Sequence, residues 1–147
     1  MKKVTLFLAL VFLACTIHAN DTEKENIQQV IQTAYVDGLQ NLGSIAKIEE
    51  GFHPSFKLLG VRNNMLTKYP IYSWVSSVKQ QKKKHPEGRP DEEKITCKYK
   101  SIDVTGNAAM AKIELYRKDK KLFTDYLQLY KFDEGWRIVS KIYYRHE

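Results

Sequence analysis

Apolar residues recur along this chain with two periods, and the change between them falls past its middle. Ile27, Val30, Ile31, Ala34, Tyr35 and Leu39 stand three or four residues apart, one stripe of an amphipathic helix predicted over 23–40. Thr22-Glu23-Lys24-Glu25 in front of it has the pattern of a capping box. Asn41-Leu42-Gly43 breaks the helix, Ser44 caps a second one over 45–50, and Gly51 stops it. His53-Pro54 then imposes extended or turn backbone. FKLLGV over 56–61 reads as a strand, Arg62-Asn63-Asn64 as a turn, and 65–68 as a short returning strand. Tyr69-Pro70 opens a third helix, in which Ile71, Trp74, Val75 and Val78 fall at i, i+3, i+4 and i+7. It ends in the polar tail KQQKKKH and the loop HPEGRPDEE.

From Lys94 the period is two. Strands are predicted over 94–104, 108–117, 122–132 and 136–146, separated by Thr-Gly-Asn, Lys-Asp-Lys-Lys and Asp-Glu-Gly. Such short polar turns join antiparallel neighbours. Helices gathered before an antiparallel meander define an α+β chain.

The first nineteen residues follow neither pattern. Lys2 and Lys3 precede the apolar run 4–14, and Ala19 follows it before the polar Asn20-Asp21. This is the layout of a secretory signal peptide over 1–19, cleaved after Ala19, with a single domain over 20–147. The run is shorter than the roughly 20 residues a membrane-spanning helix needs. A second reading comes from Phe12-Leu13-Ala14-Cys15, which has the form of a lipobox and would make Cys15 a lipid anchor. Both readings predict a periplasmic or secreted domain, an outer-membrane lipoprotein if Cys15 is acylated.

Composition narrows the classes further. The 147 residues carry 24 Lys+Arg against 17 Asp+Glu, a net +7. One domain fits that length. Behind the leader Cys97 stands alone, so neither an internal disulfide nor a cysteine-type zinc site is expected. Lys79, Lys82, Lys83, Lys84, Arg89 and Lys94 cluster, but Glu87, Asp91, Glu92 and Glu93 interleave with them. The cluster reads as a solvated helix end, and no nucleic-acid partner is expected.

The order helix, helix, short hairpin, helix, four-strand meander resembles the nuclear transport factor 2-like superfamily, also called cystatin-like. FHPSFKLLGV is similar to its first-strand entry and FTDYLQLYKFDEGWRIVSKIYY to its closing hairpin. TDYLQLYKFDEGWRIVSK is most similar to the secreted bacterial family named putative lumazine-binding. The resemblance implies three N-terminal helices packed in a strongly bent, mainly antiparallel sheet, a cone with a pocket at its mouth. It also implies dimerisation through the sheet.

Ketosteroid isomerase, a member of that superfamily, uses an Asp base with a Tyr and a protonated Asp as oxyanion hole. The resemblance sets Tyr35 near its tyrosine, but Gly60 near its base and Gln128 near its second acid. Neither can do acid–base work, so no residue is assigned as catalytic. The pocket candidates come from the residues. His53 suits proton transfer by its ordinary pKa, or else holds the helix–strand corner through a backbone hydrogen bond. Asp125 shares one strand face with Phe123, Leu127 and Leu129, and a carboxylate there needs a cation. Lys141, alternating with Val139 and Tyr143 on the next strand, could be that cation, in a structural pair or as a polar contact inside the pocket, unless Asp125 lies at a sheet edge; a bulge would exchange Asp125 for Tyr126. Trp74, Tyr116, Tyr126 and Tyr143 are candidate walls for a planar ligand such as a pteridine. His85 and His146 are isolated from acidic partners, and neither a metal nor a cofactor is expected. Three functions compete: a non-catalytic binding domain for an unidentified small molecule, an isomerase, dehydratase or cyclase using the same pocket, and a dimeric interaction module.

Overall fold

The computed structural model describes residues 21–147. The leader over 1–19, its cleavage after Ala19 and the Cys15 anchor lie outside the described residues. The first helix, α1, runs over 21–40 and already includes Thr22, so this residue lies inside the helix rather than at a capping box. From Ile31 to Gln40 its turns widen to the π form, closing on Asn41, whose amide donates to Val36 O at 3.0 Å. Widened turns of this kind concentrate at functional sites, and Tyr35 lies in the middle of this one.

The second helix, α2, spans Ile45–Gly51 and is capped as expected by the Ser44 hydroxyl, which accepts from Lys47 N. A side chain at Gly51 has no room, since an added Cβ would stand 2.3 Å from Ala34 Cβ on α1. Strand β1, Phe52–Arg62, starts four residues before the predicted position, because His53-Pro54 is already extended. Asn63 and Asn64, both at positive φ, turn it into β2, Met65–Pro70. Helix α3, Ile71–Lys84, buries Ile71, Val75 and Val78, and Trp74 packs beside them. Then come a single 3-10 turn, Asp91–Glu93, and the strands β3 (Ile95–Thr105), β4 (Ala108–Arg117), β5 (Lys120–Phe132) and β6 (Gly135–Arg145).

The six strands form one curved sheet in the order β2-β1-β6-β5-β4-β3. Every pairing is antiparallel except β1 with β6, which run parallel. Register breaks at Tyr99/Ser101, Leu115/Tyr116 and Gln128/Leu129 supply the bend, since each bulge kinks and twists its strand. The concave face takes α1, with Ile27, Ile31, Ala34 and Leu39 against Ile113, Leu115, Leu127 and Ile138 of the sheet, all without measurable or with minimal exposure. The result is the expected α+β cone.

The basic loop does more than end α3 in solvent. Lys82 Nζ donates to Leu42 O at 2.8 Å, and Arg89 Nε donates to Gln40 O. Both cap carbonyls at the C-terminal end of α1, where cations are favoured. Asn41 fastens the same end to the sheet, its side chain exchanging two 2.8 Å hydrogen bonds with the Ile95 backbone.

Candidate functional site

Asp125 enters the concave face of β5 because it shares parity with Leu127 and Leu129, and it is wholly buried. Lys141 of β6 stands opposite Leu127, one diagonal step from Asp125, and its Nζ lies 2.9 Å from Asp125 Oδ2. The third member comes from α1. Tyr35 donates its hydroxyl proton to Asp125 Oδ2 at 2.6 Å and accepts a hydrogen bond from Lys141 Nζ at 2.5 Å. Tyr35 and Asp125 expose nothing and Lys141 4 %. Asp125 Oδ1 is buried without a hydrogen-bond partner among the described residues.

Four aromatic rings surround the Lys141 ammonium: Tyr35 at 4.9 Å, Tyr143 at 5.1 Å, Trp74 at 5.7 Å and Phe123 at 5.9 Å from their centroids. Such faces attract a desolvated cation. Even so, burial outweighs Asp125's charge and holds Lys141 below the usual lysine range. Burial, then the Asp125 charge, raises the Tyr35 hydroxyl well above an ordinary tyrosine. The arrangement is a directed chain of donors, Lys141 to Tyr35 to Asp125, able to carry a proton along its length.

Tyr143, whose ring faces Lys141, is 42 % exposed, and so is Tyr69, whose ring meets Trp74 at 6.5 Å. Gly60 lies beside Tyr143, and Gln128 faces outward and bonds Ser140. Neither position of the isomerase machinery therefore contributes an acid. A separate apolar groove, lined by Phe52, Pro54, Ile71, Tyr72 and Val75, runs between α2, β1 and α3 and includes none of the triad.

The structure thus brings together Tyr35, Trp74, Asp125, Lys141 and Tyr143, and it sets His53, Tyr116 and Tyr126 apart. His53 stacks on Phe132 at 5.0 Å and its Nδ1 accepts from Ser55 N–H at 3.1 Å, the corner-holding alternative. Tyr126 alternates with Asp125 and so points to the convex face, where Lys112 covers its ring. Tyr116 shares that outer face with Glu114, to which its hydroxyl donates at 2.8 Å, and Lys98 covers its ring. The polar run Lys112, Glu114 on alternate positions was the signal for this. Val139 also leaves the Lys141 face, because the β6 bulge at that point makes it the extra residue between Ile138 and Ser140. Phe123 is the site residue that sequence reasoning missed.

Cys97 lies near the same interior. Burial, followed by the charge of Asp125, pushes its thiol up to about 12. At about pH 8 its thiolate fraction falls roughly a thousandfold below that of a free cysteine. A disulfide reagent that attacks thiolates is therefore expected to label Cys97, located by peptide mapping, about a thousandfold more slowly in the native protein than in denaturant. A ratio below tenfold would show that the thiol is not buried as described.

Residues 22–144 match the family model described as putative lumazine-binding. The chain belongs to that family. Among curated proteins, this member is 31 % identical over 120 residues to aldolase FrzH of a Cladobotryum species, covering 80 % of this chain and 89 % of the aldolase. Among solved structures it is similar to a nuclear transport factor 2-like protein of unknown function from Shewanella baltica, with TM-score 0.67 and 26 % identity, covering 86 % of this chain and 95 % of the other. A second such protein, from Silicibacter pomeroyi, superposes with TM-score 0.68 at 19 % identity, over 86 % and 98 % of the two chains. A domain with a cystatin-like fold from Nostoc punctiforme gives 0.59 at 12 %, over 86 % and 78 %. The family and the fold make this a ligand-binding domain.

Proposed function

We propose that the protein is an extracytoplasmic domain that binds a small, planar heterocycle over the Tyr35–Asp125–Lys141 triad, without catalytic turnover. The supporting observation is Asp125 Oδ1, a buried acceptor with no partner among the described residues, set under a box of rings. An unpaired buried acceptor costs about 1–3 kcal/mol, and a ligand donor that reaches it recovers that energy. The rings give flat apolar area for stacking, and the signal layout of residues 1–19 supports secretion.

Titration with lumazine tests this reading by tryptophan emission. The Trp74 ring lies 5.7 Å from Lys141 Nζ, whereas Trp136 lies elsewhere with its indole bonded to Glu23 at 2.5 Å. A saturable quench is expected in Trp136→Phe and not in Trp74→Phe, weakened tenfold or more in Tyr143→Ala. A quench indifferent to Trp74 and Tyr143, or none at millimolar lumazine, overturns the proposal.

A second reading is an enzyme that moves protons on the same ligand. It is favoured by the directed Lys141–Tyr35–Asp125 chain and by the likeness to a fungal aldolase. It would act through Asp125 and Tyr35 rather than His53, which faces away.

We also propose that the convex face pairs two copies of the chain. Met110, Tyr130, Ile142 and Tyr144 are exposed there on three adjacent strands. Ile142→Glu is expected to convert a dimer into a monomer by light scattering. A wild-type monomer at micromolar concentration removes this pairing.

A further inference from the structure

The binding reading uses Lys141 only as a charge, yet its amine is also a nucleophile once it loses a proton. Lysines act this way on carbonyl compounds when desolvation favours the neutral amine. Lys141 has such surroundings: 4 % exposure, four aromatic rings within 6 Å of Nζ, and a route for the departing proton.

We propose that Lys141 forms a reversible imine with a small ketone or aldehyde entering between Tyr143 and Trp74. This rests on the reading that ligands enter over the triad, and it names their reactive group.

The hydrogen bonds run in the sense the reaction needs. Lys141 Nζ donates to Tyr35 Oη, and Tyr35 Oη donates to Asp125 Oδ2. Lys141 passes a proton to Tyr35 as Tyr35 passes its own to Asp125. All three groups are then neutral, the state that burial favours over a charged pair. The freed lone pair on Nζ attacks the carbonyl carbon, a C–N bond forms, and the C=O π pair moves to oxygen. That oxygen takes up two protons in turn, the nitrogen gives up two, and water leaves as the C=N bond closes. Amine and carbonyl become imine and one water, with nothing oxidised or reduced. Asp125 Oδ1, otherwise unpartnered among the described residues, is placed to exchange the proton of the departing hydroxyl. The rings of Trp74, Phe123 and Tyr143 keep bulk water, which would hydrolyse the imine, away from Nζ.

Acetylacetone is a direct probe, because a neutral lysine condenses with it to a conjugated enaminone that absorbs in the near ultraviolet. The full chain is expected to gain the mass of one acetylacetone less one water, with peptide mapping placing it at Lys141. Lys141→Arg, which keeps the charge beside Asp125, is expected to lose the adduct. Tyr35→Phe, which leaves only the direct 2.9 Å contact of Lys141 with Asp125 to take the proton, is expected to slow its formation severalfold. Adduct spread over exposed lysines without enrichment at Lys141 in the wild-type chain overturns the proposal, whatever the variants do. The same sample titrated with lumazine separates the two readings. A saturable quench with no adduct at Lys141 sinks the imine and leaves the binding, whereas loss of both sinks both.

Discussion

Replacing Lys141 with methionine lowers the free energy of unfolding by about 3–5 kcal/mol in a urea titration. The reason is what remains rather than what is removed. Asp125 exposes nothing and its Oδ2 is held by Lys141 Nζ at 2.9 Å and Tyr35 Oη at 2.6 Å. Without the ammonium, a carboxylate is left inside an apolar cone with one donor for two oxygens. Adding Asp125→Leu removes that charge, and adding Tyr35→Phe removes the hydroxyl that would then lack an acceptor. The triple variant is expected to recover most of the loss, since apolar groups of similar volume often match or exceed a buried ion pair. A single-variant loss below about 1 kcal/mol would show that the triad is neither dry nor tightly coupled.

The second large effect is at Phe56. Truncation to alanine is expected to cost about 3–5 kcal/mol, measured in the same way. Phe56 is wholly buried, meets Phe52 edge-to-face at 4.9 Å and leans on Trp74 at 6.5 Å. It joins the parallel β1–β6 seam to α3, so its loss opens a cavity directly behind Trp74. Val61→Ala five residues along the same strand, where the side chain is 76 % exposed, is expected to stay within about 0.5 kcal/mol. Equal costs at the two positions would mean that β1 does not face the interior as described. Weaker lumazine binding in Phe56→Ala than in Val61→Ala is expected for the same reason, because Trp74 loses its support.

Spacing along the chain was enough to set out the elements and much of the interior. Helical spacing in 27–39 and 71–78 marked the faces that α1 and α3 bury, and the period of two marked β3 to β6. It also made Asp125 and Lys141 a pair, because both depend on alternation along neighbouring strands joined by a short turn. The same alternation puts Tyr126 and Tyr116 on the outer face, against their assignment from sequence as pocket walls. Tertiary structure alone decided the rest. Tyr35 meets Asp125 across ninety residues of sequence, through the docking of a helix whose turns widen at that point. The parallel seam of β1 with β6 places Gly60 and Tyr143 side by side, and the β6 bulge shifts Val139 out of register. Local periodicity reports which face of an element is apolar. Which faces meet, and at what offset, depends on packing and curvature that no short window of residues contains.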